Sequence, residues 1–84
     1  MIKKYIKVAP VEAIRVTHLN YYEVREFAKN QNIVFGEIGL FHTIETPEGY
    51  MEFNDYDYII KNQTGECYPC AREVFKKTYR EVEK

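Results

Sequence analysis

A chain of 84 residues can form one core but is too short for two domains, which usually run to roughly 100–150 residues each. Its net charge of −1, with twelve basic residues scattered among thirteen acidic ones, offers no basic stripe of the sort that neutralises a nucleic-acid backbone, and no apolar run approaches the roughly 18 residues that span a bilayer. A chain this small buries only about 60–65% of the surface it exposes when unfolded, so its stability margin is thin and homo-oligomerisation would widen it.

The amino end carries positive charge but sets Lys7 and Glu12 where a signal peptide needs an unbroken apolar stretch, so residence in the cytoplasm, with reduced thiols, is expected. Residues 5–17 read as one strand or two short ones, with Ile6, Val8, Val11, Ala13, Ile14 and Val16 as the apolar positions and Pro10 as a kink. Asn20 is placed to cap a helix, Glu23 to complete a capping box and Leu19 to staple onto Val24. From Tyr21 to about Asn30 the positions Tyr21, Val24, Phe27 and Ala28 make one apolar stripe at helical period, predicting an amphipathic helix that docks through Val24 and Phe27.

Residues 33–35 then predict a short strand, Gly36 to Gly39 a turn, and Leu40 to Thr46 a further strand. Thr46-Pro47-Glu48-Gly49 has the composition of a tight turn, because Pro47 presets its backbone and Gly49 accepts positive φ, leading into a strand over Tyr50 to Phe53. Asn54-Asp55 turns the chain into a strand over 56–61, Asn62 to Gly65 turns it again into 66–68, and Pro69 ends that strand before a short helix over Cys70 to Lys77. The whole predicts an α+β domain spanning residues 1–84, with a mainly antiparallel, curved meander sheet, one amphipathic helix after the first strand and a short helix near the carboxyl end.

Cys67-Tyr68-Pro69-Cys70 invites a redox reading, since a C-x-x-C pair at a strand-to-helix junction gains from the helix N-terminus. A thioredoxin-like domain needs more strands after that motif than fourteen residues allow. Zinc needs four ligands, and His18 and His42 lack the paired spacing that would complete the set. No carboxylate pair stands at a known catalytic spacing and no Gly-rich phosphate loop is present, so no catalytic residue, metal ligand or cofactor is expected. Aromatics reach 15%, with Tyr 8, Phe 5 and no Trp, which suits a thin core or a binding surface. The candidate binding rim is Arg15, Tyr58, Lys61, Glu66, Tyr68, Arg72 and Tyr79, because Tyr and Arg dominate binding hot spots. Within it Arg15, Tyr58, Tyr68 and Arg72 are placed to clamp a planar or anionic feature.

The stretch Asp57-Tyr58-Ile59-Ile60-Lys61, followed by Gly65-Glu66, Tyr68-Pro69-Cys70, Phe75 and Thr78-Tyr79, resembles a widespread family of small phage and prophage proteins with no settled activity. Val11-Glu12-Ala13-Ile14-Arg15-Val16 and Thr46-Pro47-Glu48-Gly49 extend the likeness over most of the chain. Three departures alter the rim: Arg15 and Val16 stand for the family's usual Gln and Trp, Tyr56 stands where Gly is common, and Ala71-Arg72-Glu73 stands for Lys-Pro-Asp. The resemblance implies a phage or prophage accessory protein in the bacterial cytoplasm. By analogy with such proteins, three roles are open: a non-enzymatic inhibitor that masks a host or antiviral-defence protein, a sponge for a nucleotide-derived signal, or a minor virion assembly protein. An exposed flat apolar patch favours the first, and a deep pocket lined by Tyr and Arg favours the second.

Overall fold

The computed structural model describes residues 2–4, 10–37 and 40–80. Its elements run β1 (Glu12–Arg15), α1 (Tyr21–Phe27), β2 (Ile33–Val34), β3 (His42–Thr46), β4 (Gly49–Phe53), β5 (Tyr58–Lys61), β6 (Cys67–Cys70) and α2 (Arg72–Thr78). The strands form two three-stranded antiparallel sheets, ordered β1-β5-β6 and β2-β3-β4. This is α+β with antiparallel sheet, and the meander is divided: β4 does not pair with β5, because residues 54–57 turn the chain back onto β1. No helix among the described residues is long and apolar enough to cross a membrane.

The core lies between the two sheets and α1, and comprises Val16, Val24, Ala28, Ile33, Ile44, Phe53, Ile59 and Cys67. Val24 and Ala28 stand one helical turn apart, with Tyr21 and Phe27 of the same stripe packed at its border, so the helix face is the one the sequence predicts. Strand alternation supplies the rest. In β3, His42, Ile44 and Thr46 are buried while Glu45 is exposed, as expected for a strand with one face on the core.

Asn20 occupies the N-cap position without capping. Its side chain makes no bond to the helix; instead Oδ1 accepts from the Thr17 N–H at 2.9 Å and Nδ2 donates to the Arg15 carbonyl at 2.8 Å. The side chain thereby fastens the β1–α1 connection, and the expected capping box with Glu23 is not formed. Leu19 is 83% exposed, so the staple onto Val24 is absent too. The 46–49 hairpin forms as expected, with Gly49 at φ +113° and the Thr46 hydroxyl donating to the Gly49 carbonyl at 2.7 Å.

Other boundaries move for identifiable reasons. The strand expected from Leu40 begins at His42, and residues 38–39 of the preceding turn, like residues 5–9 of the first strand, lie outside the described residues. Pro69 does not end its strand: it pairs with Ile59 inside β6. β6 is an edge strand, and the Cys67 N–H points away from β5 to donate to the Gln31 side-chain oxygen. By alternation Pro69 faces that same edge, where a missing N–H breaks no ladder bond.

Gln31 closes the seam between the sheets. Its Nε2 donates to the Glu45 and Cys67 carbonyls, each at 2.8 Å, and its Oε1 accepts the Cys67 N–H at 2.6 Å. The side-chain amide thus pairs with Cys67 as a neighbouring strand would, and ties it to β3.

Candidate functional site

Two polar and aromatic assemblies stand out, one at the core and one on the surface. The first centres on His42, 1% exposed. The Gly36 N–H donates to its Nδ1 at 2.8 Å, so the ring proton sits on Nε2 and is donated to Asp55 Oδ1 at 2.8 Å. Tyr21 donates its hydroxyl to the same oxygen at 2.8 Å, and its ring stacks on Phe35 at 4.2 Å. Burial and the neighbouring Asp55 carboxylate push the Tyr21 phenol up to about 12. Burial alone would raise Asp55, but the bonds from His42 and Tyr21 outweigh it and hold the carboxyl below its ordinary value. Gly36 is required by close approach, since a methyl group there would collide with the Phe41 carbonyl. The Tyr21 hydroxyl, both His42 ring nitrogens and Asp55 Oδ1 are engaged in holding the β2–β3 sheet, α1 and the 54–57 turn together, which is a structural task.

The second assembly covers the face of the β1-β5-β6 sheet that turns away from the core. Register sets Arg15 beside Tyr58, Tyr58 beside Cys70, and Ile60 beside Tyr68, so Arg15, Tyr58, Ile60, Tyr68 and Cys70 share that face while Ile59 and Cys67 point inward. The Arg15 guanidinium lies over the Tyr56 ring at 5.3 Å and the Tyr58 ring at 6.0 Å. Tyr58 stacks on Phe75 of α2 at 3.8 Å with the planes 8° apart, and Phe75 stacks on Tyr79 at 5.0 Å. The result is a continuous series of planar groups running from Arg15 to Tyr79.

Asp57 holds this surface in place. Its Oδ2 accepts the Asn54 N–H at 2.9 Å and its Oδ1 the Arg72 N–H at 3.1 Å, so a carboxylate fifteen residues away caps α2, whose own Ala71 cannot. Between them Tyr56 adopts φ +75°, the left-handed region in which a Cβ crowds the following carbonyl at a cost of roughly 1–2 kcal/mol. Its conformation is imposed by neighbours: the Tyr56 N–H donates to the Val16 carbonyl, the Val16 N–H to the Asp57 carbonyl and the Asp57 N–H to the Asn54 carbonyl.

Of the seven residues expected at the rim, Arg15, Tyr58 and Tyr79 come together in the stack, and Arg72 lies beside the 54–57 turn with Nη1 3.4 Å from the Asp55 carbonyl. Tyr68 shares the sheet face but stands at its far end, donating to Glu66 at 3.2 Å; burial together with the Glu48 and Glu66 carboxylates pushes its phenol up to about 12. Lys61 is not part of the surface, because strand alternation turns it to the other face, where its Nζ lies 4.3 Å from the Phe27 ring centre. Tyr56 and Phe75 are the members that the rim lacked. The signal for Phe75 was its position four residues before Tyr79, one helical turn.

The cysteines lie on opposite faces of β6, both reduced. Cys67 is in the core and Cys70 half-buried, and burial pushes both thiols up, the reverse of what a redox pair requires. Among the described residues no group of three His, Cys, Asp or Glu side chains gathers to hold a metal ion. An open cleft of about 390 Å³ lies at the other end of the β5–β6 hairpin, lined by Gln31, Glu45, Thr46, Thr64 and Glu66 among others; its charged groups are acidic.

Fold and surface together define a small α+β domain that displays a cationic and aromatic sheet face. Comparison with family models, curated proteins and solved structures returns no match to the chain.

Proposed function

We propose that this is a non-enzymatic binding protein of phage or prophage origin that masks a host or antiviral-defence protein in the bacterial cytoplasm, with the Arg15–Tyr56–Tyr58–Phe75–Tyr79 surface as its contact. The observation that carries this reading is the stack itself: an exposed guanidinium and rings held at 3.8–6.0 Å by the strands and α2. Tyr supplies large contact area at low conformational cost and Arg a planar fork of donors, and both are enriched in protein hot spots. The surface is cationic and aromatic rather than a flat apolar patch, with Phe75 of α2 stacked over Tyr58 and Arg15 over Tyr56. The cleft, by contrast, carries Glu45 and Glu66 and repels an anionic nucleotide, which weighs against the sponge reading.

The test is purification of the tagged protein from infected or lysogenic cells, with mass spectrometric identification of both proteins and small molecules retained. A stoichiometric protein that is lost on Arg15→Glu, while Tm moves by only a few degrees, supports the proposal. Retention of that protein by both Arg15→Glu and Arg72→Glu places the contact elsewhere, and a retained nucleotide without a protein returns the sponge.

A further inference from the structure

Tyr56 is the one non-glycine residue among those described with a positive φ, and its ring is not buried in compensation: it is 46% exposed. A bulky side chain in the left-handed region is an outlier that persists only where its surroundings over-determine it, and here three backbone hydrogen bonds do so. Glycine would satisfy the same turn without crowding. Within the fold the ring carries the Arg15 guanidinium at 5.3 Å, and the nearly half of it that stays exposed is free to touch something outside the fold.

Its neighbours define the occupant. Arg15 stands against the Tyr56 and Tyr58 ring faces, and among the described residues no carboxylate lies within ion-pair distance of it. The two carboxylates of the same turn are already engaged, Asp55 by His42 and Tyr21 and Asp57 by backbone N–H groups. Arg72, also exposed, has the Asp55 carbonyl at 3.4 Å as its side-chain hydrogen-bond acceptor among the described residues. A guanidinium stacked on rings with its N–H edge unspent is arranged to take a carboxylate in bidentate fashion.

We propose that Tyr56 is the anchor by which this surface takes an acidic segment of a partner protein, its ring held outward by the left-handed turn and Arg15 beside it to pair with a partner carboxylate. This rests on the protein-binding reading above. The left-handed turn holds the ring ready before the partner arrives, so little ordering remains to be done on binding.

The test compares Tyr56→Gly, Tyr56→Ala and Arg15→Glu, each titrated against the partner protein purified on the strength of its recovery with the wild-type chain. Tyr56→Gly and Tyr56→Ala both remove the ring and should weaken binding by the same factor, at least about tenfold for a hot-spot aromatic. Only the alanine retains the strain, so the glycine variant should melt higher than the alanine variant by about 4–8 °C. Wild-type binding should also weaken as salt is raised from 50 to 500 mM. If Tyr56→Gly binds as the wild type does while Arg15→Glu does not, the surface is right and the anchor is wrong. If Arg15→Glu binds as well, or the wild type retains no protein, the surface reading fails and this inference with it. A glycine variant that melts below the alanine variant removes the strain argument. Melting of the wild type raised by nucleoside phosphates and unchanged by any protein overturns the choice of an acidic protein segment.

Discussion

Removal of the Gln31 amide tests whether one side chain joins the two sheets. Gln31→Ala deletes three hydrogen bonds, two donated to the Glu45 and Cys67 carbonyls at 2.8 Å and one accepted from the Cys67 N–H at 2.6 Å. Each such bond contributes roughly 0.5–1.5 kcal/mol net, and a buried N–H left without an acceptor costs about 1–3 kcal/mol. Cys67 is 1% exposed, so solvent replaces the lost partner only in part, and a total near 3 kcal/mol is expected. Against the stability of about 4–12 kcal/mol ordinary for a chain of this length, that is a large share. It corresponds to a fall in Tm of about 12–24 °C for a domain of this size. Thermal and urea unfolding followed by circular dichroism reads both quantities. Gln31→Leu, which restores bulk without polarity, should fall comparably, and Gln63→Ala in the exposed 62–65 turn should stay within about 0.5 kcal/mol of wild type. A Gln31→Ala variant that melts within about 3 °C of wild type would refute the account, since ordinary scatter among surface substitutions covers that much.

Three further outcomes are expected. Asp57→Ala should lower stability by about 2 kcal/mol in urea unfolding, because it uncaps α2 and releases the Asn54 N–H together; a loss below about 0.5 kcal/mol would mean that neither bond matters. Cys67→Ser should cost about 1–3 kcal/mol by burying a hydroxyl in the core, whereas half-buried Cys70→Ser should be nearly neutral, and the reverse order would contradict their placement in β6. The Tyr21–Asp55 pair sets pH limits at both ends: the Tyr21 phenol, raised from 10.0 to about 12, contributes stability that is complete below pH 10.0 and lost towards pH 12, while the lowered Asp55 carboxyl contributes stability that is lost as pH falls below about 4. Tyr21→Phe should reduce the alkaline loss in urea midpoints measured across pH, leaving the share of Tyr68, whose phenol is also raised, and Asp55→Asn should flatten the acid limb.

Elements with a strong local pattern were legible in the sequence, and joints between distant elements were not. The 21–28 stripe, the Pro47-Glu48-Gly49 turn and the succession of short strands declare themselves through spacing and turn chemistry. Asn20 misleads because its amide has two local uses, and the carbonyl of Arg15 and N–H of Thr17 win over the helix end. Pro69 misleads because proline is excluded from a ladder only where its N–H would be needed, and which edge a strand presents is settled by tertiary pairing. Gln31, His42 and Asp57 join residues 14–36, 6–13 and 3–15 positions away, and no local rule selects such partners. The alternation of His42, Ile44 and Thr46 did contain the burial of His42, though not the identity of Asp55 as its acceptor. The rim was half legible: residue type pointed to Arg15, Tyr58, Arg72 and Tyr79, but without the register Lys61 could not be assigned to the opposite face.

The distribution of polar groups explains how so small a core can present a rigid surface. Gln31 fixes β6 to β3, the Asp55 carboxylate fixes α1 to β3 through Tyr21 and His42, and the Asp57 carboxylate fixes the 54–57 turn to α2. Each is a polar bond between elements distant in sequence, so each adds a directional restraint to the non-directional packing of the core. α2 shows the effect most clearly: none of its residues is buried, and it is held by the Asp57 cap and the Tyr58–Phe75 stack. Loss of either should free the helix and with it the Phe75 and Tyr79 planes. The strands that carry Arg15 and Tyr58 would stay in place, since β1 and β5 remain paired and Ile59 remains in the core. Partner affinity in this protein should therefore follow the docking of α2 more closely than it follows global stability, because the planar surface is complete only when the helix is seated.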